Sequence, residues 1–382
     1  MPTLTLGRWH NIERMKITRR SFNTGVAAGT VLSPLAVRAR SLEQVQGGGK
    51  RLGYCIVGLG RISMGHFMPA CRMSQKSRVV ALVSGHPDKA AKMAAEYNVP
   101  TKNLYSYADY DKIADNSEID AVYIALPNSM HAEYTIRAAN AGKHVLCEKP
   151  MATTVKDSQN MINACKAANK KLMIAYRCQY EPTNLLAIKL IREGRIGTLQ
   201  AIESANGFNE KLGEWRLDKK MAGGGPLMDV GIYSLNACRF LTGEEPMRIE
   251  GYSTVIDHDG RFETVEENDG WSMRFPSGVV ASCTTTYGAG MPGFVRVHGS
   301  KGMLHMEPAF AYEGIHLHAT IQDQEPIDQI EEQKDPDQFV READTFAECV
   351  FENKEPKTNG QEGLRDMQYM EQIYKSAGRS LD

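Results

Sequence analysis

A short run of strand type, residues 51–57, leads directly into Gly58-Leu59-Gly60-Arg61-Ile62-Ser63, and a helical stretch, residues 66–73, follows. Strand, glycine turn and helix in this order give a dinucleotide-binding fingerprint its physical meaning. Gly58 permits the tight turn, and Gly60 lets the backbone approach a pyrophosphate. The helix N-terminus then offers free N–H groups and a positive dipole end to the anion. Leu59, Arg61 and Ile62 belong to the same loop and are read with it as cofactor contacts. Ser63 replaces the third glycine and is small enough for close helix–strand packing. Further strand-like runs at 78–83, 120–127, 143–147 and 172–176 alternate with helical stretches, among them 87–97 and 132–141. This alternation predicts a right-handed, parallel, doubly wound sheet.

From about Pro182 the pattern changes. A helix at 184–193 precedes strand-like segments at 199–207, 247–255, 270–275, 279–287, 294–298 and 303–306. Successive strands with turn signals and few helices between them predict a large, mostly antiparallel, open-faced sheet. Two amphipathic tail helices, 336–353 and 360–377, are expected to pack back on the body. Residues 321–335, rich in Asp, Glu and Gln, read as a solvated loop. The expected fold class is α/β. A Rossmann doubly wound domain over 51–178 is followed by an α+β substrate and dimerisation domain over 179–382.

The first forty residues have a different character. Met15-Lys16-Ile17-Thr18-Arg19-Arg20-Ser21-Phe22 puts paired arginines ahead of a mild apolar stretch, 26–35, and a small-residue site ending at Ala39. Charged region, short apolar region and small-residue exit describe an export signal rather than a membrane helix. Arg-Arg-Ser-Phe resembles a twin-arginine signal, the route of proteins exported already folded. A signal over 1–39, a linker over 40–50 and a periplasmic location are expected, and Met15 reads as a better start than Met1. Beyond the signal, no apolar run reaches the roughly 18 residues that span a bilayer.

The 45 Lys and Arg residues are matched by 46 Asp and Glu, so there is no basic surplus to neutralise nucleic-acid phosphates. Eight cysteines are scattered without a C-x-x-C pair, several of them inside apolar runs, so neither a disulfide framework nor a zinc site is expected. That agrees with folding in a reducing cytoplasm before export. His316 and His318 alternate along a strand but lack a third ligand at a recognisable spacing, so no metal is expected.

The end of the second strand selects the cofactor. An NAD enzyme usually places Asp or Glu there to grip the ribose 2′-hydroxyl. This chain has Ser84-Gly85-His86, 24 residues after Gly60. Without the carboxylate a 2′-phosphate meets no repulsion. Ser84 can donate a hydrogen bond beside Gly85, and Arg61 and Lys89 can supply charge. Asp88 falls in the first turn of the next helix, where an acid has a capping role. The cofactor expected is NADP.

Three more strings stand out: Leu126-Pro127-Asn128-Ser129-Met130-His131, Cys147-Glu148-Lys149-Pro150, and Gly223-Gly224-Gly225-Pro226-Leu227-Met228-Asp229-Val230-Gly231-Ile232-Tyr233. In this order, with the glycine loop, they resemble the family of glucose-fructose oxidoreductase, inositol dehydrogenase and related sugar dehydrogenases, over about residues 50–380. Tyr176-Arg177-Cys178, Trp215-Arg216-Leu217 and Tyr233 are similar to the branch of periplasmic glucose-fructose and aldose-aldose oxidoreductases. The resemblance implies cofactor contacts from Leu126, Pro127, Asn128, His131, Glu148, Lys149, Arg177, Trp215 and Arg216. It also implies catalytic roles for Lys149, Asp229 and Tyr233, and a homodimer or higher oligomer paired through the open sheet face. One departure is the short lead of about a dozen residues before the first strand, where the glucose-fructose enzyme has a long proline-rich arm that clasps a neighbouring subunit.

Oxidising a sugar hemiacetal needs a base for the C1 hydroxyl proton while hydride leaves for the nicotinamide. Tyr has a free pKa of about 10, so it needs a neighbouring cation to stabilise its phenolate. Lys149, at the carboxyl end of a parallel strand, is expected to hold substrate hydroxyls and lower the pKa of Tyr233. Asp229 stands four residues before Tyr233, so on a helix both face one side. The bland alternatives are a solvated strand end for Lys149, a core-edge aromatic for Tyr233, helix capping for Asn128 or Ser129, and a packing pair for Trp215 and Arg216. The favoured reading is an exported oxidoreductase that oxidises C1 of an aldose to the lactone and passes the hydride to a second sugar on retained NADP. An aldose 1-dehydrogenase with exchangeable NADP and a non-catalytic sugar-binding relative remain open.

Overall fold

The structure, a computed structural model, describes residues 49–330 and 337–381. The segment read as an export signal, residues 1–39, and nearly all of that read as a linker, residues 40–50, lie outside the described residues. Six strands make the first sheet: β1 (Leu52–Val57), β2 (Ser77–Val83), β3 (Leu104–Tyr105), β4 (Ala121–Ile124), β5 (His144–Glu148) and β6 (Leu172–Ala175). Their order is β3-β2-β1-β4-β5-β6, and every pairing is parallel. Helices α1 (Met68–Met73), α2 (Pro87–Tyr97), α3 (His131–Asn140) and α4 (Val155–Ala167) supply crossovers. The chain runs outward in opposite directions from β1 and β4, and such a switch point opens a crevice at the carboxyl ends of the strands. All six residues of β1 are buried, as expected of a strand covered on both faces.

The second half begins with α5 (Pro182–Arg192), β7 (Leu199–Gly207), α6 (Lys219–Ala222) and α7 (Ile232–Thr242). Seven strands follow: β8 (Arg248–Thr254), β9 (Asn268–Arg274), β10 (Val280–Thr286), β11 (Met291–Gly299), β12 (Gly302–Met306), β13 (His316–Ile321) and β14 (Ile327–Ile330). With β7 they form a sheet of order β14-β13-β12-β11-β7-β10-β9-β8, in which only the β7–β10 pairing is parallel. Buried and exposed residues alternate along β9 and β10, so one face packs on helices and the other is open. Tyr252, 77% exposed, and Val280, 51%, stand on that open face.

Two helices close the chain, α8 (Asp337–Phe351) and α9 (Gly360–Ser376). Phe339, Ala343, Phe346 and Ala347 of α8 join Leu52, Tyr54, Ile56 and Tyr123 in one buried cluster, so α8 returns to cover the first sheet. A larger cluster runs from Val57, Ile124 and Cys147 to Leu235, Trp271 and Val295 and ties the two sheets together. No helix among the described residues is long and apolar enough to cross a membrane.

Two local features differ from the sequence expectation. Residues 321–335 are not all loop, because Ile327–Ile330 pairs with β13 in the register His316↔Ile330 and Ala319↔Ile327. An edge strand needs one neighbour and keeps its other side wet, so a polar composition does not exclude it. The helix after the glycine loop begins before His66 and is π-wound over Ser63–Phe67. Pro69 has no N–H to donate one turn back, and a widened turn accommodates that gap.

Candidate active site

The glycine loop tests whether a pyrophosphate fits. Gly58 has φ +95°, and a Cβ there would lie 2.5 Å from the Ala125 carbonyl oxygen, so glycine is required. At Gly60 a Cβ would meet nothing within 4 Å, and the bare backbone faces a cleft of about 950 Å³. Ser63 does more than stay small: its hydroxyl donates to the Gly58 carbonyl at 2.7 Å and to the Gly60 carbonyl at 3.1 Å, tying the loop down. Gly60, Arg61 and Ile62 line the cleft, whereas Leu59 is buried beneath it. These residues suit a dinucleotide phosphate.

The flank beyond Leu59 carries the residues read as selecting NADP. Ser84 is buried, and its hydroxyl accepts the His86 amide at 3.0 Å. Lys89 donates to the Leu59 carbonyl at 3.3 Å, which brings its ammonium beside the loop. Gly85 packs against the Tyr107 ring. None of the three lines the cleft itself.

The ends of β4 and β5 form the cleft floor. Leu126, Pro127, Asn128, His131, Glu148 and Lys149 all line it. Asn128 reaches across to the second half, donating to the Ala222 carbonyl at 2.8 Å. His131 is 1% exposed, with its ring nitrogens 2.8 Å from the Pro150 carbonyl and 2.9 Å from that of Leu126. Burial lowers its pKa against the pull of those carbonyls. Its place is that of a brace between two turns, holding the cis Lys149–Pro150 peptide beside the β4 end. Glu148 accepts from the Tyr123 hydroxyl.

Asp229 is the hub. After Pro226 the chain is π-wound over Leu227–Gly231 before α7 starts, an irregularity common at functional sites. Lys149 Nζ donates to the Asp229 carbonyl at 2.6 Å and to Oδ1 at 3.2 Å. Arg216 Nε and the Tyr287 hydroxyl donate to Oδ2 at 2.9 and 2.8 Å. Burial opposes the charge, but Lys149, Arg216 and the Tyr287 bond together lower the Asp229 pKa to about 2. Arg216 is thus drawn into the cluster around Asp229, its guanidinium 4.7 Å from the Trp215 ring centre.

Tyr233 lines the same cleft, with Lys149 Nζ 4.6 Å and Arg177 Cζ 5.0 Å from its ring centre. Burial pushes its hydroxyl above the ordinary range, and Arg177 is the cation that opposes the shift. The structure departs here from the sequence reading, which gave that part to Lys149, because the Lys149 ammonium is committed to Asp229. Arg177 is 5% exposed. It donates to the carbonyls of Phe310 at 2.6 Å and Ala311 at 2.9 Å and to Gln338 at 2.7 Å, fastening that segment to the cleft wall.

Sequence reasoning missed Tyr287, Phe310 and Tyr312. Tyr287 continues the inward alternation of Ala281, Cys283 and Thr285 and was readable. Phe310 and Tyr312 lie in a segment without periodicity and left no signal. Among the described residues no group of three or more His, Cys, Asp or Glu is placed to hold a metal ion. The cluster offers an ionised carboxylate, two cations and a phenol within a nucleotide-sized cleft, which suits paired proton and hydride transfer.

Comparison with known proteins agrees. The oxidoreductase family with an NAD-binding Rossmann fold matches residues 52–176, and the GFO/IDH/MocA C-terminal domain matches residues 185–305. Aldose-aldose oxidoreductase from Caulobacter crescentus, solved with glycerol, is 41% identical, with a TM-score of 0.83 over 86% of this chain and 98% of its own. D-xylose 1-dehydrogenase (NADP+) of Haloarcula marismortui is 33% identical over 339 residues, 85% of this chain and 90% of that protein. Levoglucosan dehydrogenase, solved with NADH and levoglucosan, is 23% identical and shares the fold at a TM-score of 0.76, over 86% of this chain and 98% of its own. Matched in both halves by the family's domains, the chain belongs to the GFO/IDH/MocA family of oxidoreductases.

Proposed function

We propose that the protein oxidises C1 of an aldose to the lactone and reduces a second sugar, ketose or aldose, to the alditol on a retained NADP. The convergence of Lys149, Asp229 and Tyr233 in the cleft that Gly60 also lines carries this reading. NADP held at the Gly58–Ser63 loop would supply an acceptor for the C1 hydride and, once reduced, a hydride donor for the second sugar. Tyr233 Oη accepts the C1 hydroxyl proton as the hemiacetal becomes the lactone, and Arg177 stabilises the phenolate. The same proton goes to the carbonyl oxygen of the second sugar. Asp229, ionised, fixes the Lys149 ammonium and Arg216 where sugar hydroxyls need donors.

NADP is supported by Ser84 and Lys89, by the lack of a carboxylate at 84–86, and by the NADP+ in the xylose dehydrogenase's name. Cofactor retention is supported by the signal-like residues 1–39, since free nucleotide is scarce outside the cytoplasm, and by similarity to an aldose-aldose oxidoreductase. We assign residues 1–39 to the signal, 40–50 to a linker, 51–178 to the nucleotide domain and 179–382 to the substrate and dimerisation domain. The open sheet face bearing Tyr252 and Val280 is the surface proposed for the homodimer. A second reading, an aldose 1-dehydrogenase with exchangeable NADP, is favoured by two relatives named D-xylose 1-dehydrogenase (NADP+), which match over 85% and 84% of this chain.

Denaturing the purified protein and assaying the released nucleotide separates the two. Stoichiometric NADP, with aldose-dependent alditol formation and none added, is the expected result. Product formed only in proportion to added NADP overturns retention, and no turnover with any aldose leaves a binding protein. Released NAD in place of NADP removes the cofactor assignment, and a single-chain mass by light scattering removes the dimer. Replacing Arg19 and Arg20 by Lys is expected to keep the protein in the cytoplasm. Undiminished export of that variant would dispose of the twin-arginine route.

A further inference from the structure

Behind the catalytic cluster lies a carboxyl group that the reaction above does not use. Glu342 stands one turn after Gln338 on α8 and has no exposed surface, and neither of its carboxyl oxygens has a hydrogen-bond partner. The charged groups acting on it are Glu148 at the end of β5 and Arg177 beyond β6. Its other titratable neighbours are Tyr54 on β1, Tyr123 on β4, Cys178 and Tyr180. Burial pushes those four above their ordinary values, so they are uncharged at neutral pH. Glu148 has two cations acting on it, Lys149 and Arg177, whereas Glu342 has Arg177 alone and must share it. Glu148 has donors suited to its ionised form, the Tyr123 hydroxyl and the Lys149 amide at 3.3 Å. Glu342 has none, and an ion buried without a partner is far costlier than its neutral acid.

We propose that Glu342 is a positioning residue for this reaction, a neutral carboxylic acid that leaves Glu148 to balance Arg177 and so keeps the guanidinium against Tyr233. The proposal rests on the reading of Tyr233 as the base. The link runs through α8: Gln338, one turn from Glu342, accepts from Arg177 and donates to the Tyr312 carbonyl at 2.5 Å. A second negative charge at Glu342 would draw Arg177 toward α8 and disfavour the phenolate. Burial, with Glu148, holds the Glu342 carboxyl well above its ordinary value of about 4.3. A raised carboxyl contributes stability that is complete below that ordinary value and is lost as pH rises through the folded-state value.

The test compares the full chain with Glu342→Gln, a neutral isostere, and with Glu342→Leu in case the amide is poorly packed. In infrared difference spectra at neutral pH, a protonated-carboxyl band is expected in the wild type that either variant lacks, any band of the buried Asp269, which burial also raises, being common to all three. Thermal midpoints of the variants should fall less steeply with rising pH than that of the wild type. The kcat of Glu342→Gln should lie within about threefold of wild type at neutral pH, with the ratio of variant to wild type rising as pH increases. No such difference between wild type and variants, or a pH-independent loss of about tenfold or more in kcat with an unchanged stability profile, overturns the proposal. The band and the thermal midpoints do not depend on Tyr233, so a failure of the base assignment shows separately, as full activity in a Tyr233→Phe variant.

Discussion

Replacing Tyr233 by Phe lowers kcat by about 10²–10⁴-fold, the range a positioned general base supplies. The variant removes one oxygen and keeps the ring. The contacts that place the ring, 4.6 Å to Lys149 Nζ, 5.0 Å to Arg177 Cζ and 5.6 Å to the Phe310 ring centre, are all retained. The loss therefore falls on kcat, while KM for the aldose and the thermal midpoint change little. Without the hydroxyl, Arg177 has no Tyr233 phenolate to stabilise; Tyr312, which also lines the cleft with its ring centre 4.4 Å from Arg177 Cζ, is a phenol left beside that cation. Steady-state kinetics with an aldose donor check this. Full kcat in the variant removes Tyr233 as the base and leaves Tyr312, beside Arg177 in the cleft, or Tyr287, whose hydroxyl is 2.8 Å from Asp229, for that part.

How far such a site can be read in advance depends on the kind of signal each residue leaves. Gly58, Gly60 and β1 are legible because a tight turn and a close approach demand residues without side chains, and a strand buried on both faces demands an apolar run. Lys149, Asp229 and Tyr233 are legible as members of known strings, and the fold brings them together. What each one touches is not legible. Arg177 looks like a nucleotide contact in sequence, yet its guanidinium is occupied by the carbonyls of Phe310 and Ala311, residues with no periodic pattern around them. Arg216 likewise belongs to Asp229 through a turn whose path only the second sheet sets. The apolar face of α8 shows that the helix packs on something. That it returns to the first sheet, and so delivers Gln338 and Glu342 behind the site, depends on long-range packing that no local pattern records.

Replacing Asp229 by Asn is expected to damage stability and rate together. The carboxylate is the shared partner of Lys149 and Arg216, whose side chains are 11% and 26% exposed against its own 17%. An amide of the same shape can keep the Tyr287 contact but leaves two confined cations without their anion, a change more costly than losing one surface ion pair. The lowering of the Asp229 pKa to about 2 sets the scale. Relative to an ordinary Asp of about 3.9, it corresponds to about 2–3 kcal/mol of folding stability at neutral pH. The sign follows from the direction of the shift. A depressed carboxyl contributes stability above its unfolded-state value and loses it as pH falls through the folded-state value. Between about pH 4 and pH 2 the wild type should therefore shed that increment, and the Asn variant should lack this part of the acid slope. Urea unfolding of both proteins across that range measures it. With the Lys149 ammonium no longer fixed, kcat/KM for the aldose should fall by about 10²-fold or more, as when a charge-orienting partner is removed from a preorganised site. An Asn variant with wild-type stability and the full acid slope would mean that Asp229 is not the anion that holds the two cations in place.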